Sequence, residues 1–204
     1  VALLGLGFSI GATPAPVVHF SFDLYDGEIS DSVGVQSLAL PSGVSVKADG
    51  VSGSYFSLKR QEDFMLSMSK SFGFADDFSI SFWMRTSPGY TDSGSILLGR
   101  HLTSSCNGYW FMLNSGWGYG AMDKLVFFLF QRDDGVHKTM ENDGRWHHVG
   151  LVYRRSQGAF LFIDGALNIK GPVNPILILD AHFVLGGITW DKPRGTPLLA
   201  TSTS

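Results

Sequence analysis

The sequence predicts an all-β protein, two sheets packed face to face, on three observations. Apolar and polar residues alternate with a period of two in several stretches, as in half-buried strands. Asp-Gly turn signals punctuate the chain, and helical periodicity is nearly absent. The composition also fits: of 204 residues, 44% are hydrophobic and 13% aromatic, but only 16% charged. That is enough apolar mass for a core between two sheets, and too little charge for a disordered chain.

The elements follow in chain order. Val1 to Ile10 is a short apolar run followed by Gly11-Ala12-Thr13-Pro14-Ala15-Pro16. Such a run is too short to cross a hydrocarbon layer of roughly 30 Å. It reads as the end of a secretory leader with small residues near Ala12 or Ala15 for cleavage, or else as an N-terminal strand or disordered lead. Residues 1–16 are therefore set apart from a single domain over 17–190. Residues 191–204, rich in Pro, Ser and Thr, read as a linker or tail.

Within the domain, Val18-His19-Phe20-Ser21-Phe22-Asp23 alternates, and so does Phe78-Ser79-Ile80-Ser81-Phe82-Trp83-Met84. In the second stretch Phe78, Ile80, Phe82 and Met84 fall on one face, with Ser79, Ser81 and Trp83 on the other. Leu125 to Phe130 and Val149 to Tyr153 are continuous apolar runs, expected to be buried on both faces. Ala159 to Ile163, Asp164-Gly165 and Ala166 to Ile169 form the strongest hairpin signal, with Asp-Gly suited to a type I′ turn. Asp49-Gly50, Asp134-Gly135 and Asp143-Gly144 read as further turns, and Met65 to Phe72 as a short helical turn.

Charge and cysteine usage narrow the function. A net charge of −3 offers no basic field for a phosphate backbone, so no nucleic acid is expected as partner. A single cysteine, Cys106, excludes an internal disulfide framework. No stretch is long and apolar enough for a transmembrane helix.

Five stretches, in order, carry a resemblance. They are His19 to Asp23 with Asp31-Ser32-Val33-Gly34; Gly50 to Gly53 before Tyr55 to Leu58; and Asp77 to Arg85 followed by Ile96 to Arg100. The last two are Asp143-Gly144-Arg145-Trp146-His147-His148-Val149 and Leu161 to Gly165. Together they resemble the laminin-G-like members of the concanavalin A-like lectin and glucanase superfamily, over roughly residues 17 to 190. The resemblance implies an antiparallel jelly-roll sandwich. The resemblance also implies a further strand after Leu185-Gly186-Gly187; its usual signature is not evident, so the expectation is a truncated chain or a divergent final strand. It further implies a structural calcium ion near the opening loop, for which Asp23 and Asp31 match the family positions best; Ca²⁺ takes several oxygen ligands. The alternative for Asp31-Ser32 is a turn cap.

The superfamily includes retaining glycosidases, so the resemblance makes catalysis a question for the carboxylates. Retaining hydrolysis needs two carboxyl groups about 5–5.5 Å apart. The glutamates are Glu28, Glu62 and Glu141, and neither Glu-x-Asp-x-x-Glu nor Glu-x-Asp-x-Glu occurs. Asp26-Gly27-Glu28 and Glu141-Asn142-Asp143 have suitable spacing but read as solvated turns. His147 and His148, adjacent on a strand, face opposite ways and cannot share a metal ion; in the family this segment belongs to the scaffold.

What remains is recognition. Asn107-Gly108-Tyr109-Trp110 and Asn114-Ser115-Gly116-Trp117-Gly118-Tyr119-Gly120 combine flat aromatic faces with polar and glycine neighbours, as glycan and protein contacts do. Trp117 and Tyr119 lead the candidate ligand-binding set, with Tyr109 and Asn114. Trp83, Trp110 and Trp146 are expected in the core. The expected function is a secreted or cell-surface, non-catalytic module that binds a glycan or a protein partner. A glycosidase, or its lectin-like accessory domain, is the first alternative, and a structural spacer in a larger adhesin the second.

Overall fold

The computed structural model describes residues 2–10, 18–25, 28–32, 37–39, 45–57, 66–68, 77–88, 95–102, 107–113, 124–130, 134–139, 143–171 and 183–185. The first eight strands are β1 (Ala2–Ile10), β2 (Val18–Tyr25), β3 (Glu28–Asp31), β4 (Ser37–Ala39), β5 (Ser45–Lys47), β6 (Tyr55–Ser57), β7 (Leu66–Met68) and β8 (Phe78–Arg85). They are followed by β9 (Ser95–Leu102), β10 (Asn107–Leu113), β11 (Lys124–Phe130), β12 (Asp134–Thr139), β13 (His147–Arg154), β14 (Gly158–Ile163), β15 (Ala166–Gly171) and β16 (Phe183–Leu185). The larger sheet has ten strands in the order β15-β14-β13-β8-β1-β2-β3-β4, with β6 on β1 and β5 on β6. The smaller sheet runs β12-β11-β10-β9-β16-β7. At the margins β12 approaches β15 and β4 approaches β7, so the edges of the two sheets shelter one another.

The period of two in β8 is what joins the layers. Phe78, Ile80, Phe82 and Met84 are buried, while Ser79, Ser81, Trp83 and Arg85 are half-buried on the opposite face. In register beside them, β13 buries Val149, Leu151 and Tyr153, and β14 buries Ala159 and Leu161. Phe82 meets Phe111 of the smaller sheet edge-on, with ring centroids 5.3 Å apart at 86°. Phe78 stacks on Tyr153 at 5.0 Å. Phe22 stacks on Phe56 at 5.7 Å. Phe22 holds a left-handed φ of 63°, uncommon for a bulky residue, where the β2–β3 register shifts between Phe20 and Leu24.

The hairpin expected at Asp164-Gly165 is present. Ile163 pairs with Ala166, and the two turn residues have φ of 52° and 78°, both positive as a type I′ turn requires. Four expectations are corrected. Leu66–Met68 is strand β7 rather than part of a helical turn: Leu66-Ser67-Met68 alternates, and β16 supplies its backbone partners. Asp134-Gly135 lies inside β12, paired with Leu129 and Phe128, not in a turn. Val149 to Tyr153 is buried on one face only, Gly150 and Val152 being half-exposed because the other face of this sheet points away from the core. Trp83 and Trp146 are half-buried and pack with Tyr55 on that outer face, not between the sheets. The apolar stretch that also fits a leader, Ala2–Ile10, forms β1, hydrogen-bonded to β8, β2 and β6.

Candidate functional site on the outer face of the larger sheet

Residues directly opposite across a ladder share a face, so the registers of β1, β8, β13, β14 and β15 map the outer surface row by row. Ser81 is opposite Gly7 on one side and Gly150 on the other; Gly150 is opposite Phe162, and Phe162 opposite Leu167. The row above contains Leu4, Trp83 and His148; the row below contains Ser9, Ser79, Val152, Phe160 and Lys170. Across β1, β8 and β13 the rows Gly7-Ser81-Gly150 and Ser9-Ser79-Val152 consist mostly of small residues, a low floor beside the row of Trp83 and His148 that ends at Phe162 and makes a shallow trough. A Cβ built on Gly150 would sit in van der Waals contact with Phe162 Cβ at 3.7 Å, so the glycine keeps the floor low beside that ring.

Aromatic rings border the trough. Trp83 and His148 lie 5.1 Å apart, and Lys170 Nζ sits 4.9 Å from the centre of the Phe160 ring. Leu167 is 54% exposed. Beyond Trp83 on the same face, Arg85 enters the corner formed by Tyr55 and Trp146, rings that meet edge-on at 5.4 Å. The Arg85 Cζ is 5.3 Å from the Tyr55 ring and 4.9 Å from the Trp146 ring. One guanidinium nitrogen of Arg85 donates to Tyr55 Oη at 3.3 Å. Cation–π attraction fixes the charged group without neutralising it.

The segment that carries Trp146 is held by a second device. Asp143 accepts a hydrogen bond from the Arg145 backbone N–H at 2.8 Å, and Gly144 takes a φ of +80°. His147 Nδ1 lies 2.8 Å from Asp164 Oδ2, and Nε2 lies 3.2 Å from Asp143 Oδ1. Asp164 Oδ1 also accepts from the His148 backbone N–H at 2.9 Å. Both imidazole nitrogens thus face carboxylates, which ties the 143–146 turn to the β14–β15 hairpin. Burial pulls the His147 pKa down, but the hydrogen bonds and charges of Asp164 and Asp143 outweigh it, so the net shift is upward from 6.5. Asp143 is lowered, mainly by the Arg145 backbone bond. For Asp164, burial acts upward but the bonds from His147 and the His148 backbone prevail, and the net shift is downward.

A pH dependence follows from these directions. The His147 contribution is fully present below the unfolded histidine value near 6.5 and is lost as pH rises through the raised folded value. The Asp contributions are present above about pH 4 and are lost as pH falls through the lowered folded values. The tie is therefore strongest between roughly pH 4 and 6.5. Denaturant titrations of wild type and His147→Gln should differ by up to about 1 kcal/mol at pH 6, the upper end for an ion pair screened by solvent. The difference should shrink by pH 9; an equal difference at both values would mean His147 is held neutral.

Of the residues singled out in the sequence, Trp117, Tyr119 and Asn114 lie outside the described residues. Tyr109 is in β10, paired with Arg100 and Leu129, but its side chain is outside them. Asp23 and Asp31 lie on the paired strands β2 and β3, Asp31 opposite Phe20, and their side chains are likewise outside. Ser32 joins His19 there: its hydroxyl is 2.7 Å from His19 Nδ1, and its backbone N–H donates to the His19 carbonyl at 2.8 Å. Among the described residues no group of three or more His, Cys, Asp or Glu is arranged to hold a metal ion. Sequence reading missed Arg85 and the Gly7-Ser81-Gly150 row. The alternation in β8 already put Ser79, Ser81 and Trp83 on one face, and extending it by two residues reaches Arg85.

The comparisons with known proteins agree with this architecture. The Laminin_G_3 family model, described as concanavalin A-like lectin/glucanases superfamily, matches residues 59–198. No curated protein sequence matches the chain. Similar solved structures include the receptor-binding domain of botulinum neurotoxin type G, at TM-score 0.64 and 13% identity over 85% of this chain and 44% of that one. The receptor-binding domain of botulinum neurotoxin D gives 0.62 and 14% over 79% of this chain and 42% of that one. The binding domain of botulinum neurotoxin DC in complex with rat synaptotagmin II also gives 0.62 and 14%, over 79% and 41%. This chain spans about two fifths of each toxin domain, and at such identities the likeness is one of fold. With more than half of its length matched by the family model and two antiparallel sheets packed across Phe82 and Phe111, the chain belongs to the laminin-G-like family of the concanavalin A-like lectin/glucanase superfamily.

Proposed function

We propose that this domain is a non-catalytic, extracellular recognition module that binds a glycan or a protein partner and leaves it chemically unchanged. The observation that carries the reading is the trough along Gly7, Ser81 and Gly150, bordered by Trp83 and Phe162 on rigid central strands. Small floor residues admit a ligand close to the backbone, and aromatic borders supply apolar area with polar edges. The superfamily, and solved neighbours that are themselves named as binding domains, support a recognition role. His147 supports the absence of chemistry: both ring nitrogens are engaged by carboxylates, so neither is free to take a proton from a substrate or to ligate a metal. Trp117, Tyr119 and Asn114, in residues 114–123 that connect the paired strands β10 and β11, are proposed as a further contact region together with Tyr109 of β10. A calcium ion at Asp23 and Asp31 is proposed as a structural cofactor, because the two acids lie on neighbouring strands.

The test is a glycan array probed with the whole chain, once with calcium and once with EDTA. Binding of one glycan class is expected, and a Trp117→Ala, Tyr119→Ala double variant that still folds should bind it at least tenfold more weakly. Unchanged binding removes that region. Signal retained in EDTA removes calcium as a requirement, and a blank array from folded protein moves the reading to a protein partner. Turnover on a polysaccharide panel, abolished by Glu141→Gln or Glu28→Gln, would overturn the non-catalytic assignment.

A further inference from the structure

Resting on the recognition reading, we infer that the outer face binds a carboxylate-bearing sugar, with Arg85 as the anion contact and Trp83 as the stacking surface. The first ground is charge. The chain as a whole carries −3, yet β1, β5, β6, β8, β13, β14 and β15 contain no Asp or Glu. The same face carries Arg85 and Lys170, and Lys47 lies opposite Tyr55 in register. The acids of the larger sheet, Asp23, Glu28 and Asp31, lie on β2 and β3, across β1 from β8, and Asp143 and Asp164 are engaged by His147. The patch around Arg85, whose strands carry only positive charges on a net acidic protein, is complementary to an anion.

The second ground is the state of Arg85. The ion pairs of the described residues join Arg145 and His147 to Asp143 and Asp164; none reaches Arg85. Its guanidinium has five N–H donors, and Tyr55 takes one of them at 3.3 Å. Tyr55 and Trp146 hold one side of the group, so the planar fork is fixed in position with donors to spare. Such a preorganised fork matches a carboxylate in bidentate fashion and loses little entropy on binding. Trp83 lies two residues back on the same face, about 7 Å along the strand. A sugar ring resting on Trp83 therefore brings a ring carboxylate within reach of Arg85, while the rest of the glycan runs into the trough beside Ser81.

Calorimetric titration of the whole chain tests this with three pairs of probes: trigalacturonic acid and its methyl ester, 3′-sialyllactose and lactose, and a hyaluronan tetrasaccharide and its carboxyl-reduced form. At least one acidic probe should bind with a millimolar or tighter Kd, and its neutral counterpart at least tenfold more weakly. Raising the salt should weaken the acidic probe alone. Arg85→Gln should lower affinity at least tenfold while its far-ultraviolet circular dichroism stays that of wild type. Should that variant not fold, Arg85→Lys keeps charge and packing but loses the fork, and five- to tenfold weaker binding is expected. The inference is overturned if no acidic probe binds at millimolar concentration, if neutral counterparts bind equally, or if Arg85→Lys binds as wild type does. Binding of neutral glycans alone overturns it too, while the recognition reading stands.

Discussion

Replacing Phe82 with alanine is expected to cost about 3–5 kcal/mol, the scale for removing a buried aromatic ring from a packed core. Phe82 is 1% exposed and holds the two sheets together through its edge-on contact with Phe111. Its neighbours cannot close the gap cheaply. Val149 opposite is fixed by the β8–β13 ladder, and Ile80 and Met84 on the same face are already buried. A single domain has only about 5–15 kcal/mol in total, so the variant should lie near its folding limit at 37 °C. Ser81→Ala, one residue away on the outer face, should fall within about 0.5 kcal/mol of wild type. Urea denaturation of the pair checks both, with the midpoint moving and the slope holding. Equal midpoints would mean that the sheets do not meet at Phe82.

Gly144→Ala should be more damaging than Gly165→Ala, at about 2–4 kcal/mol from left-handed strain plus a steric clash. The glycine has φ +80°, and a Cβ there would lie 2.9 Å from Pro88 Cγ and 3.2 Å from Cδ, atoms of a stiff ring. Gly165 is the control. Its φ of +78° is nearly the same but nothing lies within 4 Å, so Gly165→Ala should show only the strain, about 1–2 kcal/mol. Thermal melts of the two variants separate the terms. A second consequence is local: the Gly144 turn sets Asp143 against His147 and leads into Trp146, so the alanine should also disturb the Arg85 corner. Equal losses at the two glycines would mean that Pro88 gives way.

Local chemistry was legible in the sequence, and non-local register was not. The Asp164-Gly165 turn, the two faces of β8 and the Asp143-Gly144 turn each depend on a few consecutive residues, and each appears as read. The five ordered stretches pointed to the family that the model match over 59–198 then showed. The failures share a cause. Leu66–Met68 became a strand because β16, more than a hundred residues later, pairs with it. Trp83 and Trp146 looked like core residues by type, but Tyr55 and Arg85, brought from separate strands, hold them on the outer face. The trough requires Gly7, Ser81 and Gly150 to fall in one row, a fact of strand pairing that no window along the chain contains. His147 shows the boundary between the two. Its Asp143 partner is four residues away, but Asp164 comes from the next hairpin.

The central claim is that ligands are received on the outer face of the larger sheet, and filling the trough tests it most directly. Ser81→Trp adds a large ring to the row between Gly7 and Gly150 without touching the core. Wild type and this variant, each shown to be folded by its melting curve, would be applied side by side to the same glycan array. The account predicts a glycan class that wild type binds and Ser81→Trp does not. Equal binding of that class by both proteins would contradict it.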